Sequence, residues 1–289
     1  MLSALAAGVL MLASCGKENP GNELPPPGTD EELGGPAGDL GFDLSVMSFN
    51  VRLLTSSDTG EKAWANRKKP VCSMIKDKKP MVIGVQECYI SQRDDIMSGT
   101  SGYIAYGVGR DDGKSKGETT SLLYDSSVLT MKEFGTYWLS ETPDKASLGW
   151  DAACKRTATW ALMQHKGTGK RFYVVNTHLD HVGTTAQTLG MKLIKEKTDA
   201  MNRDGLPVIV MGDMNLEPGS AAFAVLGMEN TREVAKKSDN IGTFSSKLID
   251  HIFFKGLDVL SYETINGHYD GTTYLSDHRP IMSTFNFRK

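Results

Sequence analysis

From residue 44 onward, short apolar runs alternate with turns. LSVMSFNV (44–51), MVIGVQE (81–87), SLLY (121–124), TATWALMQH (157–165), FYVVNTHL (172–179), PVIVMGDMN (207–215), LIDHIFF (248–254) and RPIMSTFNF (279–287) predict strands. Several are apolar at consecutive positions, the pattern of strands covered on both faces. The stretch 184–205 changes period. Ala186, Leu189, Leu193, Ile194, Ala200 and Met201 recur at helical spacing, and Gly205 ahead of Pro207 stops the helix. A second helix is predicted over about 67–77, with Pro70 admitted in its first turn but no deeper. No repeat of a solenoid or propeller is visible. The expected architecture is α/β: two sheets packed face to face with helices outside.

Polar residues recur where the apolar runs end. Asn50, Glu87, His178 and the pair Asp213 and Asn215 each follow a run of apolar residues. Asp250-His251 follows Leu248-Ile249, and Asp277-His278 opens the last run. Singly, such residues are turn formers or solvated ends. Together they define one rim, because the strand ends of packed sheets converge. Asp213 and Asn215 are two apart and project to the same side of an extended strand.

Carboxylate and carboxamide oxygens are hard ligands suited to Mg2+, with Mn2+ possible. The two Asp-His dipeptides offer carboxylates that orient an imidazole and keep it protonated. A protonated histidine near a divalent cation suits phosphate, and Asp213 is placed to polarise a water. The combination points to metal-assisted phosphoester hydrolysis. No G-x-S-x-G elbow, P-loop or G-x-G-x-x-G is present.

MSFNVR, VIGVQE, VVNTHLDH, VIVMGDMNLEP, LIDHIFF and LSDHRPIM resemble, in this order, the signature segments of the endonuclease/exonuclease/phosphatase superfamily over roughly 44–288. The resemblance implies a four-layered α/β sandwich with the site at one rim of two mixed sheets. It implies Glu87 as the main Mg2+ ligand, Asn50 in support and Asp277 near the metal. Asp213 would activate the attacking water, and Asn215 would hold the phosphate and help place that water. His178 would contact the phosphate, and His278, oriented by Asp250, would stabilise the transition state. Arg110 and Arg156, in charged segments beside this set, are candidates for binding the substrate phosphate, and His181 in HLDH is a further candidate.

Charge changes the picture mainly at the N-terminus. The net charge is −3, but residues 17–43 hold seven acidic side chains and one Lys. Removing them leaves 28 acidic and 31 basic residues in 44–289. That mildly basic body lacks the strong positive charge usual for a nucleic-acid groove. MLSALAAGVLMLASC (1–15) reads as a secretory signal segment, too short to span a membrane comfortably. Its Leu-Ala-Ser-Cys ending resembles a bacterial lipobox with Cys15 as the lipidated residue, although no Lys or Arg precedes the run. Residues 16–41, rich in Pro, Gly and acids, read as a disordered tether to a catalytic domain at 42–289. The expectation is an enzyme lipid-anchored to a bacterial membrane, periplasmic or at the cell surface. It would act on a phosphorylated small molecule or lipid headgroup, and touch the membrane only through Cys15. The alternative is a secreted nuclease cleaving DNA or RNA with the same residues. A binding protein without catalysis is disfavoured by the intact polar set. Cys72, Cys88 and Cys154 form no C-x-x-C pair and are expected as buried thiols.

Overall fold

The computed structural model describes residues 41–287. The predicted signal segment, Cys15 and all but the last residue of the tether lie outside the described residues. Two six-stranded mixed sheets face each other. The first contains β1 (Phe42–Asn50), β2 (Val82–Gln86), β3 (Tyr103–Tyr106), β4 (Leu122–Asp125), β11 (Asp258–Thr264) and β12 (Ile281–Phe287), in the order β11-β12-β1-β2-β4-β3. The second contains β5 (Leu129–Trp138), β6 (Thr157–His165), β7 (Arg171–His178), β8 (Val208–Asp213), β9 (Glu229–Asn230) and β10 (Asp250–Lys255), in the order β5-β6-β7-β8-β10-β9. The central pairs β1–β2 and β7–β8 are parallel.

The consecutive apolar positions have a direct cause. Leu44 and Val46 of β1 enter the core between the sheets, whereas Met47 and Phe49 enter a second core beneath α1 (Trp64–Lys78). Likewise Ile209 and Met211 of β8 face the inter-sheet core, and Val208 and Val210 face α3 (Thr184–Met201). Each central strand is buried on both faces, giving the helix–sheet–sheet–helix sandwich. A buried amide pair bridges the sheets near the rim. Gln86 Nε2 donates to Asn176 Oδ1 at 2.7 Å, and Asn176 Nδ2 donates to the carbonyls of Val85 and Ser121, each at 2.9 Å.

Two helical expectations change. α1 begins at Trp64, so Pro70 lies inside the helix. Burial of Trp64, Arg67, Val71, Met74 and Ile75 outweighs the hydrogen bond that proline cannot make. A helix not anticipated, α2 (Ile90–Gly99), carries only one buried aliphatic residue, Ile96. At its N-terminus the Tyr89 backbone N–H donates to Gln92 Oε1 at 3.2 Å. Strands β3, β5, β9 and β11 were also not anticipated. They lie at sheet edges, where runs of fully buried positions are interrupted. Two one-turn helices, Ala221–Ala224 and Thr231–Val234, and a 3-10 turn at Gly60–Lys62 complete the described elements. Among the described residues no helix is long and apolar enough to cross a membrane. Cys72 and Cys88 are buried free thiols, whereas Cys154, also free, is only half-buried in the loop before β6.

Candidate active site

Strand alternation decides which polar residues meet. Continuing inward-facing positions brings Asn50 (β1), His178 (β7), Asp213 (β8) and Asp250 (β10) to the inter-sheet gap at one rim. The strand pairing sets His178 beside Asp213 and Asp250 opposite it. His251 takes the opposite face. Its Nε2 meets the Leu216 carbonyl at 2.8 Å, and its ring packs among Phe223 and Phe253. The two Asp-His dipeptides therefore contribute one member each: Asp250 Oδ2 lies 2.8 Å from Nδ1 of His278.

Three residues leave the alternation through left-handed backbone. Arg52 (φ 56°), Glu87 (φ 54°) and Asn215 (φ 51°) all sit at this rim. Non-glycine residues in that region cost about 1 kcal/mol each, and such strain collects at functional sites. At Glu87 the effect is to turn the side chain back toward Asn50. Gly212 serves closeness: a Cβ there would lie 1.9 Å from the Thr177 carbonyl oxygen. The Gly-Asp in the β8 segment thus lets β7 and β8 close up beneath Asp213.

Asp213 Oδ2 is the centre. Asn50 Nδ2 donates to it and to Glu87 Oε1, both at 3.0 Å. Nε2 of His178 and Nε2 of His278 stand 3.5 and 3.6 Å away. Asp213 Oδ1 accepts the Asn215 backbone N–H at 2.9 Å, and Asn215 Nδ2 donates to the Leu179 carbonyl at 3.0 Å. Burial, reinforced by the charge of Asp250, pushes Asp213 up to about 7. Burial pulls His278 down, but the charge and hydrogen bond of Asp250, with Asp213 and Asp277, outweigh it and raise the imidazolium to about 10. Burial, then the positive charges of Arg156 and His278, drives His178 far below its ordinary value, so this ring is neutral. One rim thus holds a neutral imidazole, an imidazolium and a carboxylate poised near neutrality.

Glu87, His178 and Asp213 offer ligand atoms within 4.8 Å of one another. With the Asn50 amide alongside, this oxygen-rich set fits a hard divalent cation such as Mg2+. Asp277, expected near the metal, stands at the rim in an ion pair with Arg52. Arg52 Nη1 donates to its Oδ2 at 2.5 Å, and Ser276 donates to its Oδ1 at 3.2 Å. Arg52 also grips Asp58 through two contacts of 2.6 and 2.8 Å.

Beside Glu87 and His178 lies a recess of about 10 Å³, walled by Arg110, Glu118, Arg156 and threonines 119, 120 and 157. Arg110 pairs with Glu118 at 2.7 Å, and burial raises Glu118 despite that partner. Arg156 is buried, with Nε 3.4 Å from Asp180 Oδ2 and Nη2 3.0 Å from Nδ1 of the exposed His181. The structure thus brings Arg110 and Arg156 to the site, with His181 behind Arg156. Asp151, in the same charged segment, instead accepts the N–H groups of Thr185 and Ala186 at the start of α3.

Sequence reasoning missed Arg52, Asp180 and Arg67. Arg67 is fully buried on α1, with no carboxylate in ion-pair contact among the described residues. It donates to four backbone carbonyls: Lys62, Val51 and Leu275 at 2.6, 2.6 and 3.1 Å, and Arg52 at 3.2 Å. Two of these belong to the segment after Asn50 and one precedes Asp277-His278. Position on the buried face of α1 was the available signal.

A model described as "Endonuclease/Exonuclease/phosphatase family" matches residues 47–278. A mannosyl-6-phosphatase structure from Bacteroides thetaiotaomicron is 31% identical, with TM-score 0.81, covering 84% of this chain and 100% of that one. A family structure from Bacteroides vulgatus is 33% identical, with TM-score 0.80 and coverage of 86% and 100%. An uncharacterized protein of Acanthamoeba polyphaga mimivirus is 24% identical over 274 residues, 84% of this chain and 100% of that protein. The chain belongs to the endonuclease/exonuclease/phosphatase family and is a metal-dependent phosphoric ester hydrolase.

Proposed function

We propose that the protein is a Mg2+-dependent phosphomonoesterase acting on a small phosphorylated molecule outside the cytoplasm, tethered through a lipid on Cys15. The observation that carries the reading is the recess between Arg110 and Arg156. Its size suits a single non-bridging phosphoryl oxygen, and two guanidiniums suit a dianion. A diester would have to place a second ester group there. The 31%-identical mannosyl-6-phosphatase makes sugar phosphates the first class to test.

Glu87 and Asn50 would hold the cation, with Asp277 oriented by Arg52 at its margin. The cation would supply Lewis-acid stabilisation of phosphoryl oxygens and positioning of the substrate. Asp213, near neutrality and anchored by Asn50 and the Asn215 N–H, takes the proton from the attacking water. Asn215 keeps one amide hydrogen for the phosphate or that water. Neutral His178 donates from Nε2 to a phosphoryl oxygen. His278, held charged by Asp250, donates from Nε2 to the charge that develops in the transition state. Arg110 and Arg156 bind the remaining oxygens, and His181 steadies Arg156.

The test is phosphate release with Mg2+ from hexose phosphates, glycerol phosphate, a phosphodiester, phospholipids, RNA and supercoiled DNA. Monoester turnover with intact DNA supports the proposal. Nicking of DNA without monoester turnover overturns it in favour of the nuclease.

A further inference from the structure

A second cleft reaches the site from another side. It has a volume of about 660 Å³, touches Asp277 and His278, and shares no lining residue with the arginine recess. A phosphoryl group held between His178 and His278 with one oxygen in the recess would leave this cleft open to the alcohol part of an ester. Phe244 stands at its mouth. The ring is 36% exposed and lies 4.8 Å from the His278 ring, tilted by 37°.

A single exposed phenyl is ordinary on a protein surface. The way this one is held is specific. Lys247 N donates to the Phe244 carbonyl at 2.9 Å, and Phe244 N donates back to the Lys247 carbonyl at 3.1 Å. Ser245 completes the turn in left-handed backbone, φ 54°. Arg279, the residue after His278, donates its N–H to Thr243 at 2.7 Å and its Nη1 to the carbonyls of Gly242 and Ser245 at 2.7 and 3.1 Å. Gly242 admits no side chain, since a Cβ would lie 2.4 Å from the Ser245 carbonyl oxygen. The turn is therefore tied to the segment that carries His278. A phenyl fixed this way loses little entropy on contact with a ligand. Ser245, Asn266, Thr273 and Tyr274 add hydroxyl and carboxamide groups to the lining, beside aliphatic Ile241 and Ile265 and the charged pair Glu61 and Lys62. An apolar face with hydroxylic surroundings matches a sugar ring, which has a C–H face and hydroxyls around its rim.

We infer that Phe244 is the platform on which the ring of a sugar phosphate lies, with its hydroxyls toward Asn266, Thr273 and Tyr274. The inference rests on the phosphomonoesterase reading and adds the leaving-group class. It is tested by kcat/KM on a hexose 6-phosphate and on glycerol 3-phosphate, which has no ring, for the wild type, F244A and F244W. The ratio of the two values falls about tenfold in F244A, equivalent to about 1.4 kcal/mol, through KM of the hexose phosphate, and F244W restores it. A residue acting only through His278 would lower both substrates together, so an unchanged ratio overturns the inference. A fall confined to a nucleoside 5′-monophosphate also overturns it. If the wild type hydrolyses neither monoester, the phosphomonoesterase reading itself fails, and the platform with it.

Discussion

His278 Nδ1 and Asp250 Oδ2 lie 2.8 Å apart in a buried setting, although the two residues come from different Asp-His dipeptides. The pairing leaves Nε2 of His278 facing Asp213, so Asp250 sets both the charge and the aim of the ring. Asp250→Asn keeps the shape and removes the charge. We expect kcat to fall roughly 10²- to 10⁴-fold with the near-ultraviolet circular dichroism unchanged. Rates within twofold of wild type would remove Asp250 from the account.

The Glu87 carboxylate accepts the Asn50 amide and the Leu53 backbone N–H, and a glutamine keeps an acceptor oxygen in the same place. Glu87→Gln should leave the Tm without metal close to that of the wild type. Mg2+ at a hundred times its Kd should raise the wild-type Tm by roughly 5–10 °C, and this rise should vanish in the variant. Differential scanning calorimetry with and without EDTA reads both. An equal rise in Glu87→Gln would place the cation elsewhere.

Arg67 joins the segment after β1 to the segment before β12 through carbonyl contacts alone. Arg67→Met fills similar space and leaves buried carbonyls without donors. The cost should be about 3 kcal/mol or more, a drop in Tm of roughly 6–12 °C. Weaker Mg2+ binding should accompany it, because Arg52 and Asp277 lose their shared support. Calorimetry and a metal titration of the same variant check the two effects.

Asp180 is buried, and burial alone would raise it. Backbone N–H groups of Gly183, Ala153, Val182 and Cys154 outweigh that and hold it at about 2. A carboxyl depressed below its unfolded value near 3.9 stabilises the fold fully above that value. The contribution is lost as pH falls through about 4 toward 2. Urea unfolding should therefore show Asp180→Asn clearly weaker than wild type at pH 7, with the gap narrowing at pH 3. A gap that widens on acidification would contradict the assignment.

Much of this architecture was legible because central strands buried on both faces must be apolar at successive positions, as in Val208 to Met211. The two packed sheets and the rim of polar strand ends followed from that pattern, and their mixed strand directions from the family resemblance. Edge strands such as β11, with half-buried and buried positions intermixed, carry no such signature. α2 escaped notice because it buries Gln92 and Arg93 through hydrogen bonds in place of an apolar stripe. The site was legible as a set of residue types, and its wiring only in part. The pairing of Asp250 with His278 was implied by the family resemblance, whereas local pattern alone does not reveal it, because it depends on the face of β10 that Asp250 occupies. The grip of Arg52 on Asp277 depends on a left-handed residue, and neither pattern nor resemblance announces it.

The central claim is that Asp213 activates a water that attacks phosphorus. The most direct measurement is phosphate release from a hydrolysed monoester in ¹⁸O-labelled water, for wild type and Asp213→Asn, with Mg2+ present. The account predicts one solvent oxygen in the phosphate and none in the alcohol. It also predicts a rate lowered roughly 10²- to 10⁴-fold in the folded variant. Label in the alcohol, or near-wild-type release by folded Asp213→Asn, would contradict it.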